Sequence, residues 1–305
     1  MNANSLQFAP RGALMALLLR LGLGAVFVVG GWAKLSRLLG PAKSDAILTE
    51  YLGPLGYINT LFQDFLFSDR LPIGLTPWGF MTALSGFELV SGLMLMAGLL
   101  VRPLAVFWAL LLWSFVPSLP VVTTPGVALA AATYTSPAML VQIRDIGLSG
   151  LFFVLYQLGA GRASVDAHLF HLPAQRAVNW DALGLLLRIS LGVVLLTAGA
   201  FHGYAKVTTF GMPAWLLMPV GLGLMAGVQT RWFGAAAAAM MAVYMAQKLG
   251  GATSVLGYLN GIKREFGFLA AGACLALAGG GQAWRLGQAP AALRRGLRVY
   301  LRQPA

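Results

Sequence analysis

Gly86–Arg102, GFELVSGLMLMAGLLVR, is the stretch on which the fold turns. It is apolar over a membrane-spanning length, yet it carries one carboxylate, Glu88, and ends on an arginine. A charge at the centre of a bilayer costs roughly 2.5–3.5 kcal/mol on insertion scales. A chain that keeps Glu88 there must offset that cost, and the residue doing so marks a candidate site.

The rest of the chain agrees with a membrane reading. Of its 305 residues 58% are hydrophobic and 10% charged, and mean hydropathy is +0.77. A soluble protein of this composition would lack the polar surface to cover itself. The net charge of +12 is explained by basic loops at an anionic membrane face, and no nucleic-acid partner is expected. The single cysteine, Cys274, excludes an intramolecular disulfide and a dithiol redox pair. Of His168, His171 and His202, only His202 lies beside an apolar run, so no intrinsic haem is expected. His168 and His171 alone make a poor metal site, and none is expected.

Runs long enough for a ~30 Å hydrocarbon core begin at about Ala13–Leu35 and Pro77–Val101. Pro103 opens a third, fading near Pro117, and a fourth covers about Met139–Gly159. The connection from Ser36 to Thr76 reads as one or two surface helices broken at Gly53-Pro54. After a polar segment the order recurs at about Ala182–Tyr204, Met212–Val228, Phe233–Gln247 and Ile262–Gly280. The two sets align. LRLGLGAVFVVGGWAK from Leu19 matches LRISLGVVLLTAGAFH from Leu187, and RDIGLSGLFFVLYQLGAG from Arg144 matches REFGFLAAGACLALAGGG from Arg264. Arg102 falls on Arg231, Lys34 on His202, and Leu217 where Glu88 should recur. The expected fold is therefore all-α: a polytopic membrane protein of eight transmembrane helices, as two parallel-repeat four-helix bundles over residues 1–172 and 173–305. The basic C-terminal tail favours both termini on the cytoplasmic side.

On these residues the chain resembles the DoxX family, and within it the DoxD subunit of thiosulfate:quinone oxidoreductase. The family's first-span glycine, phenylalanine and lysine pattern is similar to Gly24, Phe27, Gly30 and Lys34 here. Its second-span pattern corresponds to Glu88, Gly92, Gly98 and Arg102. The resemblance implies a subunit of a quinone-linked oxidoreductase acting on a sulfur compound. It also implies quinone as electron acceptor and a DoxA-like partner subunit, in a bacterial or archaeal cytoplasmic membrane. A non-catalytic scaffold or assembly subunit of a respiratory or photosynthetic complex is the alternative. A transporter is disfavoured because the second half lacks the carboxylate.

Rise per residue places Glu88 about 20 Å up the second span and Arg144 about 22 Å up the fourth, against about 10 Å for Arg20. Arg144 is thus the expected partner of Glu88. The pair is either a clasp between helices, a proton-handling site beside quinone, or a contact for another subunit. Lys34, Asp145, His202, Arg264 and Glu265 are the remaining candidates, and Lys34, Arg37, Lys206, Lys248, Lys263 and Arg264, with His202 close by, form a cationic mouth that would concentrate an anion such as thiosulfate. Ordinary snorkelling at helix ends is the competing explanation for the lysines.

Overall fold

The computed structural model describes residues 3–40, 43–54, 56–68, 74–119, 126, 132–133, 136–170, 178–200 and 212–286. Helices account for nearly all regular structure among them. The exception is a two-residue ladder pairing β1 (Ala132–Thr133) with β2 (Ser136–Pro137).

The first helix, α1 (Ala3–Leu38), extends past the expected span at both ends. Two short helices follow where surface helices were expected, α2 (Ser44–Leu52) and α3 (Thr60–Leu66). The break between them follows Gly53, whose N–H still bonds Thr49 O, and Asn59 caps α3 by accepting from Phe62 N at 3.0 Å. Ile47, Tyr57 and Ile58 fix this segment in a small core with Leu38, Met81, Leu119 and Val141.

Thr76 and Pro77 start α4 (Pro77–Ala97) in the manner expected of a cap and a first-turn proline, and Gly98 ends it at φ +77°. The next helix, α5 (Val101–Ser118), begins two residues before Pro103. Its start is set by Asp166, which accepts from Leu100 N at 2.8 Å and Val101 N at 3.0 Å. Then come α6 (Ala138–Leu158), α7 (Val165–Leu169), α8 (Trp180–Ala200), α9 (Ala214–Ala226), α10 (Thr230–Leu249) and α11 (Val255–Ala278). Among the described residues, four stretches are long and apolar enough to cross a membrane: Arg11–Leu38, Pro77–Ala97, Val101–Ser118 and Trp180–Ala200.

The packing interlocks the two ends of the chain. α1 lies against α4 and α11, while α8 lies against α9 and α6. α5 packs on α6, and α10 on α11. The α1–α4 and α8–α9 contacts are both glycine crossings. A Cβ on Gly24 would sit 2.8 Å from Gly92 O, and one on Gly192 would sit 2.9 Å from Gly221 O. Small residues let backbones approach this closely where water supplies no driving force between helices. One apolar core runs through the interlocked helices, from Met15 and Trp108 to Phe268 and Leu275. Trp32, Trp78, Trp215, Trp232 and Trp284 are exposed, as an aromatic belt requires.

Candidate functional site

Glu88 sits midway along α4, 5% exposed, on the face turned to α1. Its ion-pair partner is Lys34, whose Nζ donates to Glu88 Oε1. This corrects the expected pairing with Arg144. The depth count compared Cα positions, but helical side chains lean toward the N-terminus. Lys34 therefore reaches back about one turn along α1. Gly30 and Gly31 leave room for this. A Cβ on Gly31 would lie 2.6 Å from Ser85 O, so α1 and α4 touch by backbone there.

The second carboxylate oxygen faces the other way. An imagined Cβ on Gly30 would be 3.5 Å from Glu88 Oε2 and 3.8 Å from Lys263 Nζ. Glu88 and a lysine of α11 thus flank the same glycine of α1. Lys263 Nζ also donates to Asn260 Oδ1 at 2.8 Å.

Asp145 on α6 forms a second centre beside the first. Tyr57 donates its hydroxyl to Asp145 Oδ2, and Arg264 Nε lies 3.6 Å from Oδ1. The Arg264–Asp145 pair joins α11 to α6. Charge interactions link Lys263 with Arg264, Lys34, Glu88 and Arg144, and link Asp145 with Arg264, Lys263 and Lys34. Arg144 and Glu265 are buried, at 2% and 3% exposure. The structure therefore gathers Glu88, Lys34, Arg144, Asp145 and Arg264 around the contact of α1, α4, α6 and α11. Glu265 follows Arg264 directly on α11. His202 lies outside the described residues.

The α2–α3 segment closes this cluster from above. Tyr51 places its ring 5.7 Å from Lys34 Nζ, and Tyr57 reaches Asp145. The segment is pinned to the end of α5 by Asn59 N to Ser118 O at 2.6 Å and by Ser118 Oγ to Tyr57 O at 3.1 Å. Arg37 and Glu50, paired at 2.7 Å, tie α2 to α1 at its edge. Below Glu88, Trp108 Nε1 donates to Ser91 Oγ at 3.1 Å, and Trp108 stacks on Phe27 at 3.7 Å.

The tyrosines and the Trp108–Ser91 contact are absent from the sequence expectations. Ser91, three residues after Glu88 on the same helical face, was the available signal, since a second polar group on a buried stripe implies a donor opposite. No comparable signal marks Tyr57, which lies between two helices in an irregular turn. Leu217, the residue aligned with Glu88, is fully buried.

One comparison with known proteins bears on the part of the chain that carries Glu88 and Lys34. Residues 15–116 match the DoxX family model. The match covers most of α1, the α2–α3 cap, α4 and nearly all of α5. Of the candidate residues, the DoxX domain holds Lys34 and Glu88, while Asp145, Arg144, Arg264 and Glu265 come from beyond it. No curated protein and no solved structure matches the chain.

Proposed function

We propose that the protein is a membrane subunit of a quinone-linked oxidoreductase acting on a sulfur compound, with the cluster around Glu88 as its proton-handling site. The carrying observation is a carboxylate buried in a spanning helix, held by Lys34 through one oxygen while its other oxygen faces Lys263 across Gly30. Ionisable groups at such depth are costly and are retained for function as a rule.

Reduction of a quinone consumes two electrons and two protons. Oxidation of a sulfur anion such as thiosulfate, on a DoxA-like partner subunit, supplies the electrons in this scheme. The chain's own residues handle protons and charge. Lys34 holds Glu88 as an ion pair at rest. During turnover Glu88 takes up a proton at the oxygen that Lys34 does not hold and passes it on, and a positioned carboxylate of this kind contributes as a general acid–base. Arg144, Lys263 and Arg264 provide a positive field that favours an anion arriving at the mouth. Asp145 with Tyr57 extends the hydrogen-bonded groups toward the α2–α3 cap. Glu265 and His202 belong to the same proposed mouth.

The architecture we propose alongside is eight spans in two parallel repeats, residues 1–172 and 173–305, with both termini cytoplasmic. The matching contacts support it: α1–α4 with α8–α9, α5–α6 with α10–α11, and α1–α11 with α8–α6. So do the left-handed glycines at equivalent places, Gly98 with Gly227, Gly159 with Gly279, and Gly161 with Gly281. In that arrangement the first helix of each repeat is embraced by the last helix of the other. The site then lies between the repeats.

A non-catalytic scaffold is the second reading. It is favoured by the Lys34–Glu88 and Arg264–Asp145 pairs, each of which ties two helices together. Thiosulfate-dependent decylubiquinone reduction separates the two. Membranes carrying the protein with its co-purifying partner should turn over, and Glu88→Gln should lower the rate while leaving assembly intact. No turnover in any combination overturns the enzyme, and loss of assembly in Glu88→Gln supports the scaffold.

A further inference from the structure

The two halves treat one buried arginine differently, and the difference creates an anion site. In the first half Arg20 is 2% exposed and donates to Ala163 O at 2.6 Å. The acid that acts on it is Asp166, which also caps α5. In the second half Arg188 stands at the equivalent place, fully buried. It donates to Met225 O at 3.2 Å and to Ala283 O, so its hydrogen bonds go to carbonyls at the end of α9 and in the turn after α11. Its Nε is buried with no hydrogen-bond partner, as are Nε and Nη1 of Arg20, so the two arginines differ in their charged neighbours and not in unpaired N–H groups. The charged neighbour that acts on Arg188 is another cation, Arg285.

The sequence explains the exchange. Gly159 and Gly161 correspond to Gly279 and Gly281, so Asp166 corresponds to Leu286 and Val165 to Arg285. The backbone paths are similar but offset by one residue: Asp166 N bonds Gly98 O at 2.9 Å, whereas Leu286 N bonds the O of Ala226, the residue before Gly227, at 2.9 Å. At one end of the molecule an acid has become leucine, and the residue before it has become arginine. Arg188 and Arg285 converge on Gly227, where an added Cβ would lie 2.2 Å from Arg188 Nη1 and 2.9 Å from Arg285 Cγ. Arg285 Nε is also buried and without a hydrogen bond. Arg231, an exposed residue, has its Nε 3.7 Å from a Cβ placed on Gly279, and the next residue, Gly280, abuts the Arg188 stem. The acid of this end, Asp181, accepts from Gln282 N at 2.7 Å, and among the described residues no carboxylate lies in ion-pair range of Arg188, Arg231 or Arg285.

The helix C-terminus at Leu224 and Met225 offsets part of one positive charge, and Arg285 Nη1 donates to Gln282 Oε1 at 3.0 Å, a neutral acceptor that leaves the second charge uncompensated. Planar guanidiniums with free N–H groups match phosphate oxygens. Trp232 and Trp284, the sequence neighbours of Arg231 and Arg285, are 76% and 86% exposed, as residues at head-group depth commonly are. We propose that Arg188 and Arg285, with Arg231, form a binding site for a phosphate-bearing anion. The membrane presents that chemistry as the head group of an acidic phospholipid, and solution presents it as free phosphate.

The test uses the full chain, purified and delipidated in neutral detergent, with thermal unfolding read by exposure of the buried Cys274 thiol. Phosphatidylglycerol should raise Tm, and phosphatidylcholine should not. Two variants probe the site: Arg285→Gln removes the surplus charge, and Leu286→Asp installs the acid that the first half has at Asp166. Each should raise the phosphatidylglycerol concentration needed for half the shift by at least about fivefold, the value of one basic residue near an anionic head group. Leu286→Asp should also raise Tm without lipid, by supplying the counter-charge within the chain. Stabilisation by inorganic phosphate with the same sensitivity to both variants assigns the site to free phosphate. Equal stabilisation of wild type and both variants by phosphatidylglycerol, or no stabilisation by either anion, overturns the proposal.

Discussion

Replacing Lys34 by methionine isolates the interaction that keeps Glu88 in the membrane. Lys34 and Glu88 are 12% and 7% exposed, so the pair is largely desolvated. Removing one partner of such a pair leaves the other charge buried and costs about 3–5 kcal/mol. Lys263, across Gly30 from the second carboxylate oxygen, keeps the loss toward the lower end, about 3 kcal/mol. Neutralising both partners should recover most of it, because an uncharged pair of similar volume has no buried charge to compensate. Lys34→Met/Glu88→Gln is therefore expected within about 1.5 kcal/mol of wild type. Reversible unfolding in sodium dodecyl sulfate, followed by tryptophan fluorescence, measures all four corners of the cycle. The reasoning is refuted if the single losses simply add, with a coupling below about 0.5 kcal/mol.

Other perturbations test the surroundings of that pair. Tyr57→Phe removes the hydroxyl donated to Asp145 and should cost about 1–3 kcal/mol in the same unfolding assay. It should also speed proteolysis of the α2–α3 segment. Asp166→Ala removes the acceptor for Leu100 N and Val101 N, with an expected loss of about 1–2 kcal/mol. Gly31→Ala would place a methyl 2.6 Å from Ser85 O and Leu89 N, forcing α1 from α4. Overpacking of that kind costs about 1–3 kcal/mol, and in this position it should also weaken the Lys34–Glu88 pair, read as a smaller coupling in the cycle above.

Much of this arrangement is legible from residue types and spacing, and the limits are physical. The apolar composition around Gly86 to Ala97 announces a spanning helix, although the run on to Arg102 is broken at Gly98 and Arg102 lies in the first turn of α5, and Glu88 stands out by its cost. Gly53-Pro54 marks the break between α2 and α3 because helix cannot continue into proline. Partner choice was less accessible. Counting rise per residue located Glu88 and Arg144 at similar heights, but the lysine stem bridges a full turn, and helix neighbours decide which stem is near. Those neighbours are set by packing between distant parts of the chain, such as α1 on α11, which a periodicity within one helix does not encode. Tyr57 is the extreme case: it is a single tyrosine in a turn, and its hydroxyl acquires meaning only through the fold that brings Asp145 beneath it. The correspondence of Asp166 with Leu286 lies beyond the aligned stretch, which ends at Gly161 and Gly281, and it emerges only once Arg188 and Arg285 are found near one another.

Direct labelling of the quinone site tests the central claim. A photoreactive azido-ubiquinone, cross-linked to the protein in membranes and mapped by mass spectrometry, should modify peptides from α1, α4 or α11 around Gly30, Glu88 and Lys263. Excess decylubiquinone should compete it away, and Glu88→Gln should reduce it. Labelling that is spread along lipid-facing helices, that ignores competitor, or that is unchanged in Glu88→Gln would contradict a quinone-linked role for this site.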